Sequence, residues 1–220
     1  MIVKICGLTK AEDAHWAEEC GAEVLGTIFG VPESPRNNPL EKLLQLVTPR
    51  QNAKHAVLLR NPPLQSIKEL LTMLKPQIFH LCGQEDERCR GEIKNLAPDI
   101  ELWQTIGIPV DEPQNENWKF QLDACWNDSA LGRVVLDSAK SGQSGGTGRC
   151  FSHQNVAQHL GRDSAKVIIA GGLNPDNIEA ILQIAPWAGV DVSSGLEKSK
   201  GQKDPQKVRQ FFDSVHKVLP

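Results

Sequence analysis

The residues Ile2-Val3-Lys4-Ile5-Cys6-Gly7-Leu8-Thr9 decide how the rest of the chain is read. β-Branched residues lead into Cys6, so residues 2–6 read as a strand, which Gly7 stops. Thr9 with Glu12 three positions later is a capping-box pattern and predicts a helix starting there. Gly21 ends that helix. Cys6 then stands on the last residue of a strand, just before a short loop. In parallel αβ proteins ligands bind at that end. A thiol there is a candidate base or nucleophile, against the alternative of one more small buried residue.

The same strand–loop–helix unit recurs along the chain. Residues 23–29, 54–60, 77–82, 100–106, 133–137, 166–170 and 188–193 all read as strands. Between them come helical stretches with their own punctuation. Asn38 is placed to cap a helix with Pro39 at its first position, and Asn174-Pro175 repeats that pattern. The last helix starts at Asp204-Pro205 and puts Val208, Phe211, Phe212 and Val215 on one face. Residues 111–127 are polar with two tryptophans and no clean period, which predicts a short or irregular helix. Residues 138–148 are rich in glycine and serine and read as a loop. Eight alternations without a linker imply one α/β domain over residues 1–220, with a parallel sheet and right-handed crossovers. That number suggests closure into a (βα)8 TIM barrel, with a doubly wound open sheet as the competing arrangement.

Composition narrows the function classes. A net charge of −3 argues against a nucleic-acid surface, which needs a basic excess. No apolar run approaches the roughly 20 residues of a membrane span, and the N-terminus lacks a signal-peptide pattern. The six cysteines are scattered without a Cys-x-x-Cys pair, so a reducing, cytoplasmic setting is expected rather than a disulfide framework. His80 and Cys82 have no third partner at a familiar metal-ligand spacing, and no metal is expected.

In a barrel the strand ends meet on one face, and three groups collect there. Gly171-Gly172 and Ser194-Gly195 follow the seventh and eighth strands, where this fold holds phosphate. Ser194 and Glu197 form a capping-box pattern, so a short helix is expected to begin at Ser194 and favour an anion. Cys6 and Asp137 end the first and sixth strands and could divide proton abstraction and donation. Asp137 could equally brace the loop that follows it. Arg36, in a proline-braced loop, could grip a carboxylate or lie solvated on the surface. Lys4 shares a strand face with Cys6, and Asp191 with Ser193. In a closed barrel those strands are neighbours, which predicts that Lys4 and Asp191 pair inside. Cys6 is also expected to be a partly exposed, reactive thiol, labelled by iodoacetamide before the other five.

The segment from Val3 to Thr9 resembles the opening signature of the phosphoribosylanthranilate isomerase family of tryptophan biosynthesis. The resemblance continues through Gly26-Thr27-Ile28-Phe29, Ser34-Pro35-Arg36, Leu136-Asp137-Ser138, Gly145-Gly146-Thr147-Gly148, Ala170-Gly171-Gly172-Leu173 and Val190-Asp191-Val192-Ser193-Ser194-Gly195-Leu196-Glu197. It implies a (βα)8 barrel that isomerises N-(5-phosphoribosyl)anthranilate to its 1-deoxyribulose form by an Amadori rearrangement, without cofactor or metal. It further implies Asp137 as general acid, Cys6 as general base, Arg36 on the anthranilate carboxylate, and the loops at Gly171-Gly172 and Ser194-Gly195 on the phosphate. The expected partner is a small phosphorylated substrate, with no nucleic acid or membrane, and a monomer rather than a dimer.

The chain departs from the family pattern in three places. His80-Leu81-Cys82-Gly83 has cysteine where the family has a strand-end histidine, and His80 stands one layer deeper. Phe151-Ser152-His153 replaces Phe-Asp-Trp, and the third strand ends in Leu59-Arg60-Asn61. Two other readings stay open. A sibling phosphosugar isomerase or epimerase is one, although the bicyclic-ribonucleotide isomerases usually carry a carboxylate where this chain has Cys6. A non-catalytic phosphoribosyl-ligand binding protein is the other.

Overall fold

The computed structural model describes residues 1–46, 52–111, 115–140, 143–144 and 150–219. The barrel strands are β1 (Ile2–Ile5), β2 (Val24–Ile28), β3 (Lys54–Leu59), β4 (Ile78–Leu81), β5 (Glu101–Pro109), β6 (Arg133–Lys140), β8 (Val167–Ile169) and β9 (Gly189–Val192). Between β6 and β8 the two-residue β7 (Gln143–Ser144) pairs antiparallel with the end of β6. All other pairings around the ring are parallel, and it closes because β9 pairs with β1 while β5 pairs with β6. A closed sheet has no free edge, and the open doubly wound arrangement is thereby excluded.

Helices α1 (Ala11–Glu19), α2 (Leu40–Leu46), α3 (Leu64–Met73), α4 (Glu87–Leu96), α5 (Asn117–Trp126), α6 (His153–Leu160), α7 (Ile178–Ile184) and α8 (Pro205–Val218) alternate with these strands. None is long and apolar enough to cross a membrane among the described residues.

Alternation along each strand sorts the side chains. Val24, Ala56, Ile78, Trp103, Val135 and Ile168 fill the lumen. Their neighbours Leu25, Val57, Phe79, Leu102, Val134 and Val167 face outward and are buried too, beneath the helices. Both faces are covered, which is why the strands read as nearly continuous apolar runs. Helix α8 behaves as its pattern predicts. Asp204 accepts from the Gln206 and Lys207 amides, and Val208, Phe211, Phe212 and Val215 are buried against the sheet. Truncating Phe211 to alanine would cost about 3–5 kcal/mol at such a site.

Several local expectations are corrected. Thr9 does not cap α1. Its hydroxyl donates to the Gly201 carbonyl at 2.5 Å, and Lys10 stands at the N-cap without a side-chain bond. Asn38 does not cap α2, because its amide donates to the Leu8 and Arg36 carbonyls at 3.0 and 3.1 Å. In both cases a tie between loops outcompeted the helix end. The fifth and sixth strands run past their predicted limits because they pair with each other, Ile108 opposite Ser138 and Pro109 opposite Ala139. Residue 138 therefore lies in a strand rather than a loop. Residues 111–127 contain a regular helix, α5, whose Trp118 and Leu122 reach the core.

Candidate active site

The C-terminal strand ends surround a cavity of about 670 Å³, open at its top. Cys6, Arg36, Asp137, Gly171, Gly172 and Ser194 all line it. Gly195 follows Ser194 in a three-residue 3-10 turn, Ser194–Leu196. That turn is shorter than the helix predicted there, and the Ser194–Glu197 capping box does not form because Glu197 is engaged elsewhere. The segment Gly145-Gly146-Thr147-Gly148 lies outside the described residues.

Lys4 is fully buried below the cavity. Its ammonium donates to Asp191 Oδ2 at 2.6 Å across the β1–β9 register, as strand alternation predicts. It also lies 3.1 Å from Nδ1 of His80. Burial and the Lys4 charge hold the His80 pKa well below the ordinary imidazole range, so this ring is neutral. An ammonium has only donors, so His80 accepts at Nδ1 and carries its proton on Nε2. That N–H donates to Thr105 Oγ1 at 2.7 Å. The polar position one layer deeper thus orients Lys4.

Cys6 is 5% exposed, which corrects the expectation of a partly exposed thiol. Burial pushes its pKa up, while the Lys4 ammonium, within hydrogen-bonding reach, draws it back and Asp191 opposes that pull. The floor beside it depends on Gly26, where an added Cβ would come within 3.0 Å of both Cys6 Sγ and Lys4 Cε. Across the cavity Asp137 is half-buried within β6, three residues before that strand ends. Burial and the nearby Asp191 carboxylate raise its pKa to about 6, against the Ser138 N–H and Lys4. That N–H donates to Asp137 Oδ1 at 2.7 Å and fixes the carboxyl.

Arg36 is buried rather than solvated. Its Nε and Nη2 donate to the two oxygens of Glu197 at 2.6 and 2.8 Å. Gly7 makes room for it, since a Cβ there would lie 2.4 Å from Arg36 Cδ, and its φ of +72° suits glycine. Glu197 also accepts from Lys203 Nζ at 3.1 Å and from the Gly201 amide at 3.2 Å. Burial pushes the Glu197 carboxyl up, but Arg36 and Lys203 outweigh that and hold it below the ordinary carboxylate range. Sequence reading missed both Glu197 as the partner of Arg36 and Lys203 as a buried cation. Lys203 sits in a hairpin among exposed lysines, and no local pattern separates it from them.

On the other side of the cavity, Gly171 and Gly172 have φ of +83° and +69°. A Cβ at Gly195 would lie 1.9 Å from the Leu173 carbonyl oxygen, which keeps the two loops close. Among the described residues the amides of Gly172, Ser194 and Gly195 donate to no protein acceptor. Converging free N–H groups suit an anion. His153, buried at the start of α6, points Nε2 at the Ala170 carbonyl, 3.3 Å away, and braces the strand that leads into Gly171.

A family model described as N-(5'-phosphoribosyl)anthranilate (PRA) isomerase matches residues 3–214. The chain belongs to the phosphoribosylanthranilate isomerase family. It is 34% identical over 212 residues to the N-(5'-phosphoribosyl)anthranilate isomerase of Aquifex aeolicus, covering 96% of each chain. It is 34% identical over 220 residues to the namesake from Stenotrophomonas maltophilia, covering 98% of this chain and 93% of that one. Among solved structures, the phosphoribosylanthranilate isomerase of Thermotoga maritima superimposes with a TM-score of 0.81 at 24% identity, over 99% of this chain and 100% of that one. A phosphoribosylanthranilate isomerase in complex with reduced 1-(o-carboxyphenylamino)-1-deoxyribulose 5-phosphate has the same fold, with a TM-score of 0.78 at 23% identity over 99% and 100% of the two chains. In this chain Gly171 and Gly172 after β8, Ser194 after β9, Cys6 after β1 and Asp137 of β6 line one cavity.

Proposed function

We infer that this chain converts N-(5-phosphoribosyl)anthranilate to 1-(2-carboxyphenylamino)-1-deoxyribulose 5-phosphate, an aldose–ketose isomerisation of tryptophan biosynthesis. The observation that carries the chemistry is that Asp137 and Cys6 line one cavity, burial raising the pKa of both while the Lys4 ammonium beside Cys6 favours its thiolate. Asp137, with its pKa raised to about 6, keeps a protonated fraction at neutral pH and serves as general acid. It protonates the ribose ring oxygen as the C1′–O bond breaks, leaving an iminium ion. The Cys6 thiolate then removes the C2′ proton and the electron pair neutralises the iminium, giving an enolamine. Return of a proton to C1′ and loss of one from the C2′ hydroxyl yield the ketone. Lys4 supports the thiolate charge from below.

The phosphate is held by the amides of Gly171, Gly172, Ser194 and Gly195. Arg36, locked in orientation by Glu197, turns its remaining N–H groups to the anthranilate carboxylate. The proposed partner is the small phosphorylated substrate, with the chain acting as a monomer and without nucleic acid or membrane. The six cysteines are all free, which agrees with a cytoplasmic enzyme.

The test is loss of the fluorescence of N-(5-phosphoribosyl)anthranilate on adding the chain, compared with its Cys6→Ala and Asp137→Asn variants. Decay with the unmodified chain and not with either variant supports the assignment. Tight binding without decay would instead make the chain a phosphoribosyl-ligand binding protein.

A further inference from the structure

The segment after the last barrel strand folds into a hairpin, β10 (Glu197–Ser199) with β11 (Gln202–Lys203), in which Glu197 stands opposite Lys203. Its base is anchored at several points. Glu197 binds Arg36, the Lys203 ammonium donates to the Ser193 carbonyl at 3.0 Å, and the Lys203 amide donates to Asp13 Oδ2 at 3.1 Å. At the turn, Gly201 has φ of +76° and packs on the loop that carries Arg36, since a Cβ there would lie 3.1 Å from the Pro35 carbonyl oxygen. The hairpin is a fixed mount on the cavity wall.

That mount carries Lys198 and Lys200, which are exposed and both line the cavity. The other cations on the wall are Arg36 and Arg60, and each is ion-paired, to Glu197 and to Glu33. Among the described residues no carboxylate pairs with Lys198 or Lys200. Their charge at the mouth is therefore offset by no local anion, whereas a paired guanidinium presents little field at a distance.

A phosphate monoester and a carboxylate on one molecule carry about three negative charges at neutral pH. The chain has a net charge of −3, and Asp137 and Asp191 add negative charge to the cavity wall itself. The protein as a whole thus repels such a ligand, and local cations at the mouth are what can focus it inward. The loop amides and Arg36 lie deeper and act at hydrogen-bonding range, so they hold a ligand that has already arrived.

We propose that Lys198 and Lys200 are electrostatic capture residues, which draw the polyanionic substrate to the cavity mouth and raise its association rate without being bonded to it in the reacting complex. This rests on the isomerase reading above and deepens it, assigning recruitment to the hairpin and retention to the loop amides and Arg36.

The experiment compares the double variant Lys198→Gln with Lys200→Gln to a control of equal net charge, Lys68→Gln with Lys75→Gln. Lys68 and Lys75 are exposed and do not line the cavity. Stopped-flow mixing with reduced 1-(o-carboxyphenylamino)-1-deoxyribulose 5-phosphate, followed by the fluorescence of its anthranilate group, reads association and dissociation rates separately. At an ionic strength of about 0.1 M, where distant charges are screened beyond about 10 Å, the hairpin variant should associate about threefold to tenfold more slowly. Its dissociation rate should change much less, as for a rim charge. At about 1 M salt the screening length is about 3 Å and the gap should close. The control should follow the unmodified chain, and the charge-preserving double variant Lys198→Arg with Lys200→Arg should associate at the original rate.

Equal slowing in the control would mean that net charge, not the rim, governs capture, and would overturn the proposal. Faster dissociation at an unchanged association rate would make the lysines direct contacts and overturn it as well, as would a hairpin variant that behaves like the unmodified chain. If the unmodified chain neither binds the reduced analogue nor turns over N-(5-phosphoribosyl)anthranilate, it is the isomerase reading that fails.

Discussion

The Lys4 ammonium of β1 and the Cys6 thiol, one residue past the end of that strand, both face Gly26, and each shifts the other toward an ion pair. Burial alone would lower the Lys4 pKa, yet it is raised, because Asp191 and Cys6 both favour the charged form. Lys4 is fixed from the other sides by its 2.6 Å bond to Asp191 and its contact with the neutral His80. The cation is thus carried on the four-residue strand β1, the base directly follows its last residue, and the register with β9 supplies the counter-charge.

This arrangement predicts the pH profile. The acid must be protonated and the base ionised, yet Asp137 titrates at about 6 and Cys6 above the ordinary thiol value of about 8.5. The fraction of protonated Asp137 falls tenfold per pH unit above 6, while the thiolate fraction rises tenfold. Their product is constant between the two values. We expect kcat/KM to be flat from pH 6 to above 8.5 and to fall on either side. Asp137→Asn should reduce kcat by about 10²–10⁴-fold, the usual span of general acid–base catalysis. Stopped assays across pH 5 to 10 measure both. A narrow optimum near pH 7 would contradict the profile.

Thiol labelling should run in an order that the sequence did not suggest. Cys150 is exposed, whereas Cys6 is buried with its pKa pushed up. Iodoacetamide at pH 7.5 should therefore modify Cys150 first and Cys6 slowly. A substrate analogue should protect Cys6 without protecting Cys150. Peptide mapping by mass spectrometry reads the order directly, and early modification of Cys6 would contradict the burial argument.

How much was legible depended on whether a residue's partner was near in sequence or fixed by register. The eight strands were visible because both faces are buried, leaving apolar runs between turn residues. Lys4 with Asp191 was legible because closure makes the first and last barrel strands neighbours and alternation sets the face. Arg36 could be located but its state could not. Its partner Glu197 is 161 residues away, in a hairpin whose geometry follows from no local periodicity. The capping boxes at Thr9 and Ser194 failed for the same physical reason. A side-chain oxygen or carboxylate that can cap a helix can also bridge two loops, and tertiary contact chose the bridge. The position of Cys6 was clear from the strand, but its depth depends on how the loops close above it.

The Lys4–Asp191 pair should behave as a buried ion pair. Lys4→Met leaves Asp191 without its cation and should lower unfolding stability by about 3–5 kcal/mol. The double variant Lys4→Met with Asp191→Leu removes both charges and should recover part of that loss. Urea unfolding at pH 7 of the unmodified chain, both single variants and the double variant completes the cycle. Additive losses would mean that the two side chains do not interact.

The Glu197 cluster carries a further prediction, because one carboxylate there balances two cations. Glu197→Gln places a neutral amide between Arg36 and Lys203, which are 8% and 1% exposed. Breaking such a buried contact costs about 3–5 kcal/mol at neutral pH. The sign of the pH dependence follows from the lowered Glu197 pKa. Its contribution is complete above the unfolded carboxylate value of about 4.3 and is lost as pH falls through the lower folded value. The stability gap between the unmodified chain and Glu197→Gln should thus be widest near pH 7 and close progressively below pH 4. Arg36 would also lose the carboxylate that fixes its orientation, so KM for the carboxylated substrate should rise more than kcat falls. Urea titrations at pH 7, 5 and 3.5, with kinetics at pH 7, check both effects. A gap that does not narrow with acid would show that Glu197 does not act through its charge.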